Sequence, residues 1–299
     1  TYAVFVQDEI MILDNLTAYI GFRQDWWETY DGYINQVGTA GYPKDYASRD
    51  ASSFSPKVAL VYKPFEKTTL RTSIGKAFRP PTVNELYATS IFSGITYAGN
   101  PDLKPETTTS WDISVEQGLW KGAKIKATYF ENYLKDLIYS QTVTPTYWER
   151  INAGKAESKG VELEAEQRFE KWLRLFANFT YNDGKITENV AKPQSVGKKL
   201  LYLPEKMFNV GADIEKGPFS SSITGRYVGK RYTDDENRDK VNNVYGSHDP
   251  YFTADAKVSY KITKFASVSL SVDNIFDRDY FAFYKASGRS WFGELTLRF

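Results

Sequence analysis

The chain has 299 residues, 41% hydrophobic and 25% charged, with a net charge of +1 and no cysteine. That balance excludes a disulfide framework and thiolate metal ligation, and bulk charge gives no case for nucleic acid as a partner. No run of about 18 apolar residues offers a transmembrane helix. A membrane is still open, because strands that alternate lipid-facing and lumen-facing residues average to a bland mean hydropathy, here −0.49. The 22 Tyr, 19 Phe and 7 Trp suit rings at two membrane–water interfaces, and equally a tyrosine-rich all-β protein. Thr1 stands where a start Met would, as expected of a processed chain or a part of a longer one.

Strand patterns recur from one end to the other, uninterrupted by a convincing amphipathic helix. Residues 2–12 have ambiguous faces. Residues 16–25 alternate cleanly, with Leu16, Ala18, Ile20 and Phe22 opposite Thr17, Tyr19, Gly21, Arg23 and Asp25. Segments 56–65, 68–76 and 108–117 follow, then 123–133, where Ile125, Ala127 and Tyr129 oppose Lys124, Lys126 and Thr128. The sharpest is 160–168, with Val161, Leu163 and Ala165 on one side and Glu162, Glu164 and Glu166 on the other. Segments 173–181, 206–214, 221–228, 251–260 and 266–273 lead to the last, where Trp291, Gly293, Leu295, Leu297 and Phe299 share one face. These make about thirteen strands, each near the roughly 9–11 residues that a tilted strand needs to cross a bilayer.

The connections choose among all-β architectures. Segments 13–15, 66–67, 118–122, 169–172, 215–220 and 261–265 are tight. Between them lie long segments, 26–55, 77–107, 134–159, 182–205 and 229–250, and a moderate one, 274–289. Long connections all on one side of an up-and-down meander predict an outer-membrane barrel, with apolar side chains outward, ionic ones inward, short turns toward the periplasm and long loops outside. A sandwich would instead pack the apolar faces together in a dry core. With about thirteen strands, the first runs down from the outer rim, so further strands are expected before Thr1.

Several motifs lie along this pattern in order. Phe78-Arg79-Pro80-Pro81-Thr82-Val83-Asn84-Glu85-Leu86-Tyr87 precedes Gly99-Asn100-Pro101-Asp102-Leu103-Lys104-Pro105-Glu106; then come Asn152-Ala153-Gly154, Ser158-Lys159-Gly160-Val161-Glu162, Val272-Asp273-Asn274-Ile275-Phe276-Asp277, Tyr280 and a terminal Phe299. Together they resemble the C-terminal part of the barrel of TonB-dependent outer-membrane receptors, across essentially the whole chain. The resemblance implies about thirteen C-terminal strands of a 22-stranded barrel in a Gram-negative outer membrane. It implies an N-terminal plug and TonB box beyond this chain. It also implies energised import of a ferric siderophore, cobalamin or haem through TonB and its inner-membrane ExbB/ExbD complex, and an assembly signal at Phe299 for the outer-membrane insertion machinery. Read physically, Pro80-Pro81, Asn100-Pro101 and Asp273-Asn274 punctuate turns and anchor loops.

Chemistry concentrates in the long connections. Tyr30, Tyr33, Tyr42 and Tyr46 in the first, Tyr97 in the next, and Tyr147, Trp148 and Arg150 in the third are the candidate ligand contacts, since rings give contact area at small entropic cost and Arg clamps anionic oxygens. Lipopolysaccharide and outer-membrane lipid are alternative contacts for such rings. No cofactor and no metal site is expected. The single histidine, His248, reads as a solvated loop residue without a placed nucleophile, and Asp234, Asp235, Glu236 and Asp239 as a solvated mixed-charge loop rather than a calcium site. The expected function is chelate uptake without enzymatic chemistry; the alternatives are a passive porin or a surface adhesin or phage receptor.

Overall fold

Alternation with a period of two dictates extended chain whose ladder bonds must be met by neighbouring strands. A computed structural model of the protein, describing residues 1–35, 37 and 43–299, meets them with one antiparallel meander. Its strands are β1 (Tyr2–Leu13), β2 (Leu16–Thr29), β3 (Arg49–Phe65), β4 (Thr68–Arg79), β5 (Glu106–Gly118), β6 (Ala123–Thr144) and β7 (Tyr147–Phe169). They continue as β8 (Leu173–Asn189), β9 (Lys206–Lys216), β10 (Phe219–Val228), β11 (Tyr251–Lys261), β12 (Ala266–Asp273) and β13 (Ser290–Leu297). Each pairs with its neighbours in sequence, and β1 and β13 are the two edges of the path. All six expected tight turns are present, at the end of the sheet where β13 finishes.

Register separates the two faces without ambiguity. Across the sheet Ala127 lies opposite Leu163, Leu163 opposite Phe179, Phe179 opposite Phe208, Phe208 opposite Tyr227 and Tyr227 opposite Phe252. One pair along, Ile125, Ala165, Ala177, Val210, Gly225 and Ala254 form a second apolar row. The opposite face carries ion pairs: Lys126 Nζ lies 2.9 Å from Glu164, Lys124 Nζ 3.5 Å from Glu116, and Arg174 2.8 Å from Glu166 and 3.0 Å from Asp213. No second layer covers the apolar face among the described residues: Leu163 stays 47% exposed and Leu270 54%. A sandwich would have buried both. An apolar face with no protein partner, backed by an ionic one, is the inverted arrangement of a sheet that lies in lipid.

The strands are longer at the loop end than the sequence pattern indicates. β3 begins at Arg49 rather than 56, β6 continues to Thr144 rather than 133, β7 starts at Tyr147 rather than 160, and β8 reaches Asn189 rather than 181. The segment 134–159, expected as a long loop, is therefore a tall hairpin closed by Pro145-Thr146. The cause is visible on β7. Its apolar face reads Phe169, Gln167, Ala165, Leu163, Val161 and then Lys159, Glu157 and Lys155. From Phe169 to Val161 is about 26 Å along a strand at ~3.3 Å per residue, the scale of a lipid-facing band. Beyond it the ladder continues while the side chains no longer face hydrocarbon, so periodicity marks the membrane and not the strand end. Trp111 and Tyr129, with rings 5.5 Å apart, sit at the upper border of the band, and Phe219 and Tyr260, 4.7 Å apart, at the turn end.

Leu163→Arg is expected to destabilise the folded protein in lipid by about 2–4 kcal/mol. Glu164→Gln, which removes only a half-exposed ion pair, should cost less than about 1 kcal/mol. Denaturant titration of both variants in lipid vesicles measures the difference, and equal tolerance at the two positions would contradict the assignment of faces.

Candidate functional site

The loop end of the sheet is where polar side chains take over the work of the ladder. Pro80-Pro81 removes two backbone donors and ends β4. Thr82 then caps the short helix Val83–Tyr87: its Oγ1 accepts from the Glu85 amide, and Glu85 accepts in return from the Thr82 amide. Arg79, the last residue of β4, donates through Nη1 and Nη2 to Glu85 and through Nε to Glu106, the first residue of β5, at 2.7–3.1 Å. Glu106 also accepts from the Ile138 amide of β6 at 2.8 Å. One guanidinium thus joins both ends of the segment 80–105. Burial alone would raise the Glu85 carboxyl, but the hydrogen bonds from Arg79 and Thr82 outweigh it and hold the group down at about 2.

Two asparagines complete this clamp. Asn100 Nδ2 donates to the Arg150 carbonyl. Asn152 accepts from the Lys104 amide and donates to the carbonyls of Lys104 and Asp136, so a side chain of β7 supplies what a neighbouring strand would elsewhere. Gly99 lies so close to the helix that a Cβ there would be 2.8 Å from the Leu86 carbonyl carbon. These contacts seat a hairpin, Thr89–Phe92 with Ile95–Ala98, alongside β7 in parallel, with Thr96 opposite Tyr147 and Tyr97 opposite Trp148.

The sequence-derived contacts fall into two groups. Tyr97 and Trp148 meet with ring centroids 5.4 Å apart, next to Tyr147 in the same ladder, and Arg150 is held nearby through its carbonyl. In the first connection, a small hairpin of Gly32–Ile34 and Lys44–Tyr46 carries Tyr33, which is exposed, as is Tyr30. Tyr46 instead packs against Tyr87 at 4.8 Å, while the Tyr87 hydroxyl is 2.6 Å from Thr29 Oγ1. Tyr42 lies outside the described residues. An ion pair between Arg49 and Asp102 at 2.6 Å links the two groups. Phe299 follows the end of β13 and is fully exposed.

The second half of the rim departs from expectation at His248. Rather than solvated, it is buried at 8% exposure between Tyr202, 5.5 Å away edge-on, and Phe283 at 6.4 Å. Burial, then the charge of Arg231, lowers its pKa. Asp249 beside it accepts from the Asn243 and Phe281 amides and from Ser247 Oγ. Asn274 does the same work one connection later, accepting from the Arg278 amide, donating to the Arg278 carbonyl and giving its own amide to Asp255. Asp234, Asp235 and Glu236 bring carboxylate oxygens together, but Lys192 at 2.5 and 3.2 Å and Arg238 at 2.8 Å already balance them. Tyr202, Tyr245, Phe283 and Tyr284 are loop aromatics that the sequence reading passed over; the density of rings in 280–284 was the available signal.

The family described as "TonB dependent receptor-like, beta-barrel" matches residues 1–275. Among curated relatives, the iron-regulated outer membrane virulence protein of Vibrio cholerae serotype O1 (strain ATCC 39315 / El Tor Inaba N16961) is 25% identical over 93% of this chain and 44% of its own length. The vitamin B12 transporter BtuB of Vibrio cholerae serotype O1 (strain M66-2) is 28% identical over 83% of this chain and 38% of its own. Among solved structures, the copper transporter OprC superposes with a TM-score of 0.75 at 20% identity, covering 99% of this chain and 47% of that one. The siderophore receptor PiuA from Acinetobacter baumannii gives 0.76 at 19% identity, covering 99% and 42%. The chain spans less than half the length of each of these proteins.

Glu85 carries a depressed folded-state pKa, so its contribution to the clamp is fully present above the unfolded value of 4.5 and is lost as pH falls through about 2. Pepsin is therefore expected to leave the segment 80–105 intact at pH 4 and to cleave it near pH 2. Arg79→Ala should open the same segment to pepsin at pH 4; peptide mapping by mass spectrometry reads both.

Proposed function

Because the chain belongs to the TonB dependent receptor-like β-barrel family, a family of outer-membrane proteins, we propose that it is the C-terminal portion of a receptor that imports a scarce metal chelate. A ferric siderophore is the leading class, with cobalamin or haem as the others. The observation that carries the reading is the family match together with relatives whose names join iron regulation and vitamin B12 transport to the same sheet. In this reading the thirteen strands are the later part of a 22-stranded barrel. Earlier strands would pair with the open edges of β1 and β13, and a plug bearing the TonB box would fill the hollow against the ionic face. TonB and its ExbB/ExbD complex would supply the energy for release, and Phe299 would address the chain to the outer-membrane assembly machinery.

The loop end then faces outside, and the clamped segment 80–105 is a fixed part of the rim on which ligand contacts are mounted. Exposed rings on a rigid base lose little entropy on binding. This favours Tyr30, Tyr33, Tyr97, Tyr147, Trp148 and Arg150 as contacts, with Tyr42 in the same connection. Tyr46 is already committed to Tyr87 and acts through the shape of the loop. Lipopolysaccharide and outer-membrane lipid are partners of the apolar face and its aromatic border. No catalytic role enters this reading: His248 is enclosed by rings.

A strain lacking the gene should grow poorly when iron is withheld and the cognate chelate is the sole source, and the full-length gene should restore growth. Unchanged growth and uptake over a panel of ferric chelates and cobalamin would defeat the proposal. Tyr30→Ala with Tyr33→Ala should weaken chelate binding about tenfold at unchanged melting temperature, whereas Tyr46→Ala should lower thermal stability, as calorimetry and binding titration would separate.

A further inference from the structure

Three loop-side segments, 190–205, 229–250 and 274–289, are bonded together around His248, the single histidine of the chain. The Tyr202 amide donates to the Tyr232 carbonyl at 2.9 Å, and the Phe283 amide to the Ser247 carbonyl at 2.8 Å. The Gly246 amide donates to the Phe283 carbonyl at 2.7 Å, and the Asp249 amide to the Phe281 carbonyl at 2.9 Å. His248 itself bridges to Ala282 and carries the rings of Tyr202 and Phe283 against its imidazole. Lys192 and Asn237 tie the first two segments by bonds that do not involve the histidine. The seating of 280–286 on 244–249 and on Tyr202 therefore depends most on the His248 junction.

The junction closes under strain. Tyr202 has φ of 58° and Phe283 of 71°, the two aromatic residues in the left-handed region among the described residues, and bulky side chains rarely adopt it. Such backbone persists only where surrounding contacts over-determine it. Here the buried imidazole is the contact that both strained residues share.

That imidazole has no place for a second proton. Its Nδ1 is buried and closes no hydrogen bond among the described residues, and Arg231 Nε and Asp239 Oδ1, in the same connection, are buried and unpartnered as well. The charges acting on His248 are Arg231, Asp239 and Lys230, all from its own connection; burial and Arg231 disfavour the imidazolium and outweigh the Gly246 carbonyl and Asp239, which favour it. Segment 190–205 brings only the Tyr202 ring to it, and 274–289 only Ala282 and Phe283. Asp249, next in sequence, spends both carboxylate oxygens on Asn243, Ser247 and Phe281. Once open, the junction lets the imidazole take a proton from solvent at its ordinary value of 6.5. Acid below that value therefore favours the open form, by at most about tenfold per pH unit, until the closed form also takes the proton.

We propose that His248 is a proton-operated latch: with the imidazole uncharged it holds 280–286 against 244–249 and Tyr202, and on gaining a proton it releases them. This goes beyond the uptake reading and does not depend on which chelate is carried. It also separates the two halves of the rim, because the Arg79 clamp on 80–105 stays closed until its Glu85 is protonated near pH 2.

The test is hydrogen–deuterium exchange of the full-length receptor in lipid vesicles at pH 7.5 and 5.5, corrected for the intrinsic pH dependence of exchange. His248→Phe, which keeps a ring in the enclosure and cannot titrate, is compared with the parent. In the parent, protection of 244–249 and 280–286 should fall several-fold between the two pH values, to a limit of about tenfold, while 80–105 is unchanged. In His248→Phe the same peptides should not respond to pH. Unchanged protection in the parent would overturn the latch, and so would an equal fall in parent and variant. If the variant is open at both pH values, the imidazole resonance of the parent, assigned by its loss in His248→Phe, decides. Titration below 6.5 supports the latch, and titration at or above 6.5 overturns it.

Discussion

Hydrocarbon accepts no hydrogen bonds, and the remainder of this structure follows from that. Each backbone N–H and C=O in the band must be met by a neighbouring strand, so the chain crosses only as ladder, and consecutive strands can be joined by a few residues at one end. Side chains then have no freedom of direction: every second one meets lipid. Ala127, Leu163, Phe179 and Phe208 share a row because pairing places them there, and Lys126, Glu164, Glu166 and Arg174 meet one another on the other face for the same reason. The ion pairs are half-exposed and individually contribute little. Their importance is that they keep charge on the side where water or a polar domain can solvate it.

That constraint explains why the membrane part was legible and the rim was not. Leu163 and Glu164 are told apart by lipid, so alternation in 160–168 and the six tight turns identify fold class and strand order. Above Val161 the outward face of β7 no longer meets lipid, and Lys159, Glu157 and Lys155 replace apolar residues although the ladder runs on to Tyr147. Periodicity falls silent there because its cause has gone. His248 was misread for a related reason. A lone loop histidine carries no pattern, and only the meeting of Tyr202 with Phe283, far apart in sequence, encloses it.

Several of the family motifs occupy the zone where periodicity fails. There one side chain supplies the pairing that a loop cannot obtain from a ladder. Asn152 serves backbone groups of Lys104 and Asp136 and Asn274 those of Arg278; outside the motifs, Asp249 serves those of Asn243 and Phe281 in the same way. Asn suits this role because its amide both donates and accepts, and at Asn274 because it tolerates a φ of 52°. The motifs were therefore readable as anchors from residue type, while the side chains they anchor were not.

Magnitudes show why the rim uses a shared guanidinium and not separate pairs. Closing a stretch as long as 80–105 costs about 3 kcal/mol in chain entropy, and an isolated surface pair recovers at most about 1 kcal/mol. Arg79 reaches two carboxylates whose side chains are mostly buried, and hydrogen bonds to charged groups contribute about 1.5–3 kcal/mol each. Its fork to Glu85 and its bond to Glu106 share a single immobilised side chain, so the entropic penalty of fixing it falls once for three segments. Lysine, a point charge with one nitrogen, has no equivalent geometry. The rim can be rigid without a core of its own because a few forked or amide side chains, each bonded to several partners, stand in for the missing strands.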